Sequence, residues 1–414
     1  MPEQNLSRRK FFGSSAVGAL AAASSVSDPG RAAAQSVGIK PADLPDLTIK
    51  EVKVYVLKPE EANAGQGGPS FRRSEKFASV TTVSGIEGNY DIPDRYSHPN
   101  WTNLGWQAYA KRALVGKNAL DVSQFTSQWH SAVGQLSYAA AINNCLWDIL
   151  GKAVNLPVYR ILGAYRDRVR AYASSQHLHT VEDFVADVKH AKSQGFTAYK
   201  IHPPWLANSE VDYKLDIEVA KAVRKTGGDD MALLFDRVGG YTRLEAMRVG
   251  HALDELNYVS YEDCLPTDDL EGLAELAKAL DVPITMGEFL TSPYDYAKYI
   301  RFGAMDELRF IVDNVGGITS GMKLAELAEC FGMMCQPHNW GSLLDHAVHF
   351  HCELAMPNNV WFELTQPMGS SDRPYFKDQL RIDKEGYVPA PVKPGLGYEI
   401  DFNALHNAMD HIET

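Results

Sequence analysis

From Arg168 to Leu364 the chain alternates short apolar runs with amphipathic helical stretches, and this alternation constrains the fold more than any other feature. The runs are "VRAYASS" from Val169, "AYKIHP" from Ala198, "ALLFD" from Ala232, "YVSYED" from Tyr258, "PITMGE" from Pro283, "ELRFIVD" from Glu307, "GMMCQPH" from Gly332 and "VWFEL" from Val360. Between them lie segments such as "TVEDFVADVKHAKSQG", "DDLEGLAELAKALD" and "SGMKLAELAECFG", with apolar residues at helical spacing. Short apolar strands separated by helices predict a parallel sheet, and eight such units predict closure into a β/α barrel. The rival, an open doubly wound sheet, lacks support because no G-x-G-x-x-G follows the first strand.

In such a barrel the side chains at the C-terminal strand ends converge on one open face. Here those ends carry Lys200 and His202, Asp236, Glu262, Glu288, Asp313, His338 and Glu363. Asp236, Glu262 and Glu288 follow one another at intervals of 26 residues, one β/α unit each, so three carboxylates are expected at equivalent heights on adjacent strands. Any one of them alone reads as a turn acid or a helix N-cap. Together they would repel one another unless a cation neutralised them, and an all-oxygen set without cysteine suits a hard divalent ion, Mg²⁺ above others.

Lys200 and His202 stand two residues apart on a strand and therefore share a face. Beside a divalent cation either could act as a neutral base. His338 ends a strand five units later, which places it across the barrel. His349 and His351, in the helix-like "DHAVHFHCELA", read as structural.

Ahead of the barrel, "LTIKEVKVYVLK" (Leu47 to Lys58) alternates as a strand, and "KFASVTTVSGIEGNY" (Lys76 to Tyr90) reads as its hairpin partner, with a Gly/Pro/Ser loop between them as a candidate lid. Helical patterning from Asn118 to Leu162 completes a small α+β domain. The expected organisation is a signal segment over 1–34, a linker over 35–46, an α+β capping domain over 47–165, a barrel over 166–375, and a C-terminal segment over 376–414 that returns to the cap. The N-terminus "SRRKFF" leads into the small apolar run "FFGSSAVGALAAA" and then "RAAAQ", the pattern of a twin-arginine export signal; periplasmic location is the expectation, with no stable membrane anchor. The formal net charge of −12 over 414 residues argues against a nucleic-acid or anionic-membrane partner. Five cysteines without metal-type spacing read as buried fillers.

These residues resemble the enolase superfamily, and within it the mandelate racemase/muconate lactonizing enzyme type. The resemblance runs from about Leu47 onward, through "LWDILGKAVNLPVYRILGAYRDRVRAYAS", "FDRVGGYTRLEAM", "YEDCLPTDDLEGLAELAKAL", "PITMGEF", "GGITSGMKLAELAECFGMMCQPHNWGS" and "HFHCELAMPNNVWFEL". It implies a modified (β/α)7β barrel under an α+β cap, with Asp236, Glu262 and Glu288 as ligands of Mg²⁺, Glu363 as the acid that hydrogen-bonds an enolate oxygen, and commonly an even-numbered homo-oligomer. Three positions depart from the family pattern. His202 stands where a second lysine is usual. Asp236-Arg237-Val238 lacks the usual orienting amide. Ile311 replaces the sixth-strand aspartate that normally orients the seventh-strand histidine, with Asp313 two residues on as a substitute if the strand end is remodelled.

The resemblance implies abstraction of the proton α to a carboxylate through an enediolate. Dehydration of a sugar acid to a 2-keto-3-deoxy acid is the leading expectation, because a weakened His338 harms racemisation, which needs two competent bases, more than elimination. A racemase or epimerase of a 2-hydroxy acid is the alternative, and a noncatalytic exported carbohydrate-binding protein is a further one. A metal hydrolase fits less well, since the metal strands lack a histidine-rich set. Substrate choice is expected to rest in Pro59–Lys76 and Asp91–Trp106, where Tyr96, His98, Trp101 and Trp106 lie.

Overall fold

The computed structural model describes residues 44–63, 70–73, 75–92, 110–129, 136–204 and 211–413. The segment read as an export signal, most of the expected linker, and Tyr96, His98, Trp101 and Trp106 lie outside the described residues.

The cap is built on a four-stranded antiparallel sheet. β1 (Ile49–Leu57) pairs with β4 (Lys76–Thr82), β4 pairs with β5 (Glu87–Ile92), and the C-terminal strand β15 (Met409–Glu413) pairs with the free side of β1. The stretch read from sequence as one partner strand is thus two. Gly85, at φ 84°, turns the chain between them, a conformation that costs glycine little. Within the loop that follows β1, β2 (Glu60–Asn63) and β3 (Ser70–Arg73) form a hairpin of their own.

The second sheet carries eight parallel strands, one for each apolar run: β6 (Arg168–His177), β7 (Ala198–His202), β8 (Ala232–Asp236), β9 (Ser260–Glu262), β10 (Ile284–Met286), β11 (Glu307–Leu308), β12 (Met334–Cys335) and β13 (Trp361–Thr365). Ladder pairing is continuous from β13 through β6 to β12. The seam between β12 and β13 is stitched instead by the chain leading into β13. The Cys335 amide donates to the Asn358 carbonyl at 2.8 Å, and the Asn359 side-chain amide reaches the carbonyls of Cys335 (3.2 Å) and Trp361 (3.1 Å). β14 (Tyr387–Pro389) adds antiparallel to β6. The fold is therefore a (β/α)7β barrel with an α+β cap.

Capping chemistry starts the barrel helices where the sequence places it. Thr180 and Thr242 each exchange hydrogen bonds with an acid three residues on, Asp183 and Glu245, which satisfies backbone donors at the helix start. One helix is capped from the other domain. Ile318–Cys330 begins at Gly317 with no side-chain cap of its own; the side-chain oxygens of Asn144 and Asn143, on the cap helix Leu136–Ala153, accept from the amides of Ile318 and Thr319 at 3.1 and 3.2 Å. Cap and barrel are joined by the same groups that complete a helix.

Inside the barrel, Tyr172, Ala198 and Leu234 form a small apolar plug separate from the main core, with Ala232 and Trp361 packed against it. Two residues further along β7 and β8 the same inward face carries Lys200 and Asp236. The period-two alternation that buries the plug thus delivers charge above it. Four cysteines are buried as expected, but Cys330 is exposed at the end of its helix.

Candidate active site

The strand ends bring Lys200, His202, Asp236, Glu262, Glu288, His338 and Glu363 together in one buried cluster. Lys200, fully buried on β7, sets its Nζ 3.0 Å from Asp236 Oδ2, 3.0 Å from Glu262 Oε2 and 2.9 Å from Glu363 Oε1. Burial and the neighbouring Arg309 oppose its charge, yet Glu262 and Glu363 win and hold its pKa well above the usual lysine value.

Sequence reasoning missed Arg309, the residue immediately after β11. It is 1% exposed, and its guanidinium stands against Glu262, Glu288 (3.2 Å) and Glu363 while lying 3.3 Å from His338 Nδ1. The alternation of the sixth run offered the signal, since Arg309 is in phase with Glu307 and Ile311. Gly287, at φ 129°, makes room for it: a Cβ there would collide with the Arg309 carbonyl.

The two histidines differ in what their ring nitrogens face. His202 Nδ1 lies 2.7 Å from the Ser175 carbonyl and its Nε2 lies 3.0 Å from Asp236 Oδ2. Each ring nitrogen of His202 thus faces an oxygen that can only accept. His338 Nδ1 lies 2.8 Å from Glu288 Oε2, whereas its Nε2 is buried with no partner among the described residues. Nδ1 is thus the nitrogen engaged with Glu288, and Nε2 is the open one. Burial penalises the Glu288 carboxylate, but His338 beside it outweighs this and brings its pKa down to about 2.

Glu363 accepts from Ser174 Oγ (2.7 Å), the Asn339 amide (3.0 Å) and Trp340 Nε1 (3.1 Å) as well as the two cations. Against burial, Lys200 and Arg309 keep it well below the ordinary carboxylate range. Asp236 is likewise lowered, with Lys200 and His202 overcoming burial. The side-chain amide is absent, as the sequence shows; Asp236 Oδ1 accepts instead from the backbone N–H of Val238 at 3.0 Å, in a turn where Val238 takes φ 58°.

Asp313 is placed differently from expectation. β11 ends at Leu308, and residues 312–315 form a helical turn that Ile311 precedes, so Asp313 does not continue a strand face. Its carboxylate instead accepts from the Tyr90 hydroxyl of the cap at 3.0 Å. His349 and His351 fasten backbone: His349 Nε2 accepts from the Val312 amide (2.9 Å) and His351 Nδ1 from the Tyr159 amide (3.0 Å).

Asp263, next to Glu262, joins the set, so five buried carboxylates meet here, facing Lys200 and Arg309. Glu262 and Asp263 feel this crowding. Burial raises both well above the usual carboxylate pKa; repulsion from Asp236 and Glu288 adds to this, and Arg309 and Lys200 offset it only in part. Among the described residues, ligand-capable atoms gather within 4.8 Å of one another in two groups that share Glu262: Asp236, Glu262 and Asp263, and Glu262, Glu288 and His338. The donor chemistry fits Mg²⁺.

Residues 183–404 match the family model described as enolase C-terminal domain-like, and residues 76–163 match the N-terminal domain of mandelate racemase / muconate lactonizing enzyme. The chain is 30% identical over 312 residues to the L-talarate/galactarate dehydratase of Salmonella typhimurium, covering 72% of this chain and 75% of that protein. It is 29% identical to the D-gluconate/D-galactonate dehydratase of Picrophilus torridus over 86% of this chain and 92% of the relative. The crystal structure of D-glucarate dehydratase from Agrobacterium tumefaciens complexed with magnesium superposes with a TM-score of 0.80 at 27% identity, over 89% of this chain and all of that one. The barrel and the cap thus have their counterpart in known proteins, and the chain belongs to the mandelate racemase/muconate lactonizing enzyme group of the enolase superfamily.

Proposed function

We propose that this chain is a divalent-metal-dependent lyase that removes the α-proton of a sugar acid and expels its β-hydroxyl as water, giving a 2-keto-3-deoxy acid. The observation that carries the reading is the unequal surroundings of the two histidines at one carboxylate-lined mouth: both ring nitrogens of His202 face acceptors, whereas Nε2 of His338 is open. Elimination needs one group that takes a proton and another that gives one. His338 Nε2, open and buried, takes the α-proton. His202, whose ring nitrogens both face acceptors, gives a proton to the departing hydroxyl. Lys200 and Arg309 keep Glu363 ionised and fixed, ready to accept a hydrogen bond from substrate. A divalent ion held among Asp236, Glu262 and a further carboxylate of the cluster, Glu288 in the family pattern, supplies electrostatic stabilisation of the charge that develops on the substrate carboxylate. The dehydratase activities in the relatives' names support the same class.

The test is a screen of the Mg²⁺-loaded protein against a library of acid sugars in deuterated water, read for 2-keto acid and for deuterium at the α-carbon. Formation of a 2-keto-3-deoxy product is expected. Exchange at the α-carbon without dehydration would assign the protein to epimerisation instead, and neither signal across the library would reject both.

We infer further that residues 1–34 direct export of the folded chain through the twin-arginine route to the periplasm, and that the protein assembles as an even-numbered homo-oligomer. The paired Arg8-Arg9 before an apolar run supports the first, and family resemblance supports the second. Replacing both arginines by lysine should hold the protein in the cytoplasmic fraction, and light scattering should return a mass of two or more chains.

A further inference from the structure

Away from the barrel mouth, a cavity of about 400 Å³ opens where the cap meets the C-terminal segment. Its walls come from β5, the helix Leu136–Ala153, the first turn of the helix Leu343–Ala355 and residues 393–402, and no residue of the strand-end cluster lines it. Small-molecule sites occupy roughly 300–1,000 Å³, so the space is of the right order for one.

One carboxylate holds the walls together. Asp148 Oδ2 accepts from the Asn89 backbone N–H at 3.0 Å and from Lys152 Nζ at 2.7 Å, and Asp148 Oδ1 accepts from the Leu396 backbone N–H at 2.9 Å. Gly395, at φ 73°, lies so close that a Cβ there would stand 2.1 Å from Asp148 Oδ1. Three elements meet on one side chain, and the cavity is formed before anything enters it.

The cations at its edge are already matched. Lys152 is paired with Asp148 and also donates to the Glu87 carbonyl at 2.7 Å, while Lys393 Nζ lies 2.7 Å from Asp378 Oδ1 and 3.3 Å from Glu399 Oε1. Leu344, Leu396, Ile400 and Phe402 supply apolar wall. Asn89 differs from both sets. It lines the cavity and is only 8% exposed, yet its side-chain amide has no hydrogen-bond partner among the described residues. A buried amide is normally paired, and this one presents a donor and an acceptor side by side.

We propose that this cavity is a binding site for a small uncharged molecule with a ring-sized apolar body and a carboxamide head, which exchanges two hydrogen bonds with the Asn89 side chain. The matched lysines leave an organic anion or cation no free counter-charge, whereas the apolar wall takes the body of a neutral ligand. An occupant touches a cap strand and a barrel helix at once, one residue from the Tyr90 hydroxyl that bonds Asp313, and so clamps the cap to the barrel.

The test is calorimetric titration of the full chain with benzamide, and with benzoate and benzylammonium as charged analogues of the same size. Benzamide is expected to bind saturably and at least tenfold more tightly than either analogue, and N89A, which removes a side chain bonded to nothing else in the protein, to weaken it at least tenfold. No saturable heat from benzamide overturns the site, and benzoate binding as tightly as benzamide overturns the uncharged class. Unchanged affinity in N89A overturns the role of Asn89. Should N89A fail to fold, crystals of the unaltered protein soaked in benzamide decide: its amide found on Asn89 supports the proposal, and a cavity that holds only water overturns it.

Discussion

Lys200 Nζ lies 2.9 Å from Glu363 Oε1, joining the second barrel strand to the eighth across the first strand that separates them. The same ammonium touches Asp236 and Glu262, so one buried cation links three strand ends. Charges so placed contribute little when complete and cost much when one partner is removed, because the survivor stays buried and uncompensated.

Lys200→Met keeps the length of the side chain and removes its charge. It is expected to lower unfolding free energy by about 3–5 kcal/mol. Urea unfolding followed by far-UV circular dichroism checks this, and a loss below about 1 kcal/mol would mean that water reaches the cluster.

Arg309→Met should destabilise the metal-free protein by a similar amount, about 3–5 kcal/mol, since three glutamates lose a common partner. The deficit should shrink when Mg²⁺ is added. A ligand at 100 times its dissociation constant stabilises the folded state by about 2.7 kcal/mol. Thermal melts of parent and variant, with and without Mg²⁺, measure both effects; a variant that gains nothing from Mg²⁺ would separate Arg309 from the metal centre.

Asp91, on cap strand β5, has its pKa raised from 3.8 to about 7, by burial first and then by the Asp345 charge. The folded state therefore binds a proton that the unfolded chain releases between about pH 4 and pH 7. Its contribution to stability is full below pH 4 and is lost as pH rises through 7. Asp91→Asn has no such loss, so relative to the parent it should gain on the order of 2–4 kcal/mol between pH 4 and pH 8. Urea titrations at the two pH values test the sign, and a parallel decline in both proteins would remove Asp91 as the source.

Tyr90→Phe removes the hydroxyl that the cap donates to Asp313 at 3.0 Å and sets 3.4 Å from Asp345. A loss of about 1–2 kcal/mol is expected, without a change in the slope of the denaturation curve. A changed slope would show that cap and barrel no longer unfold together.

The barrel was legible because its signal is periodic. Each strand is a short apolar run, each helix repeats at 3.6 residues, and the interval of 26 residues between Asp236, Glu262 and Glu288 follows from one β/α unit. The sixth unit was read too long. "ELRFIVD" is uniformly strand-like in composition, but residues 312–315 turn helical and send Asp313 to Tyr90, a choice made by contact with the cap. Arg309 was hidden for a related reason: one arginine in an apolar strand reads as a solvent-facing residue until its glutamate partners are known.

Asp263 shows the limit most clearly. Alternation along a strand would aim it opposite to Glu262, and only the turn at its own φ, held by Thr285 and Gly239 from neighbouring units, brings both acids into one cluster. The sequence by itself determined which strand ends carry charge, because side-chain period and unit length are local properties of the chain. Which carboxylate faces which histidine, and which is left without a donor, was decided by tertiary structure, because those distances depend on residues from different strands meeting across the barrel.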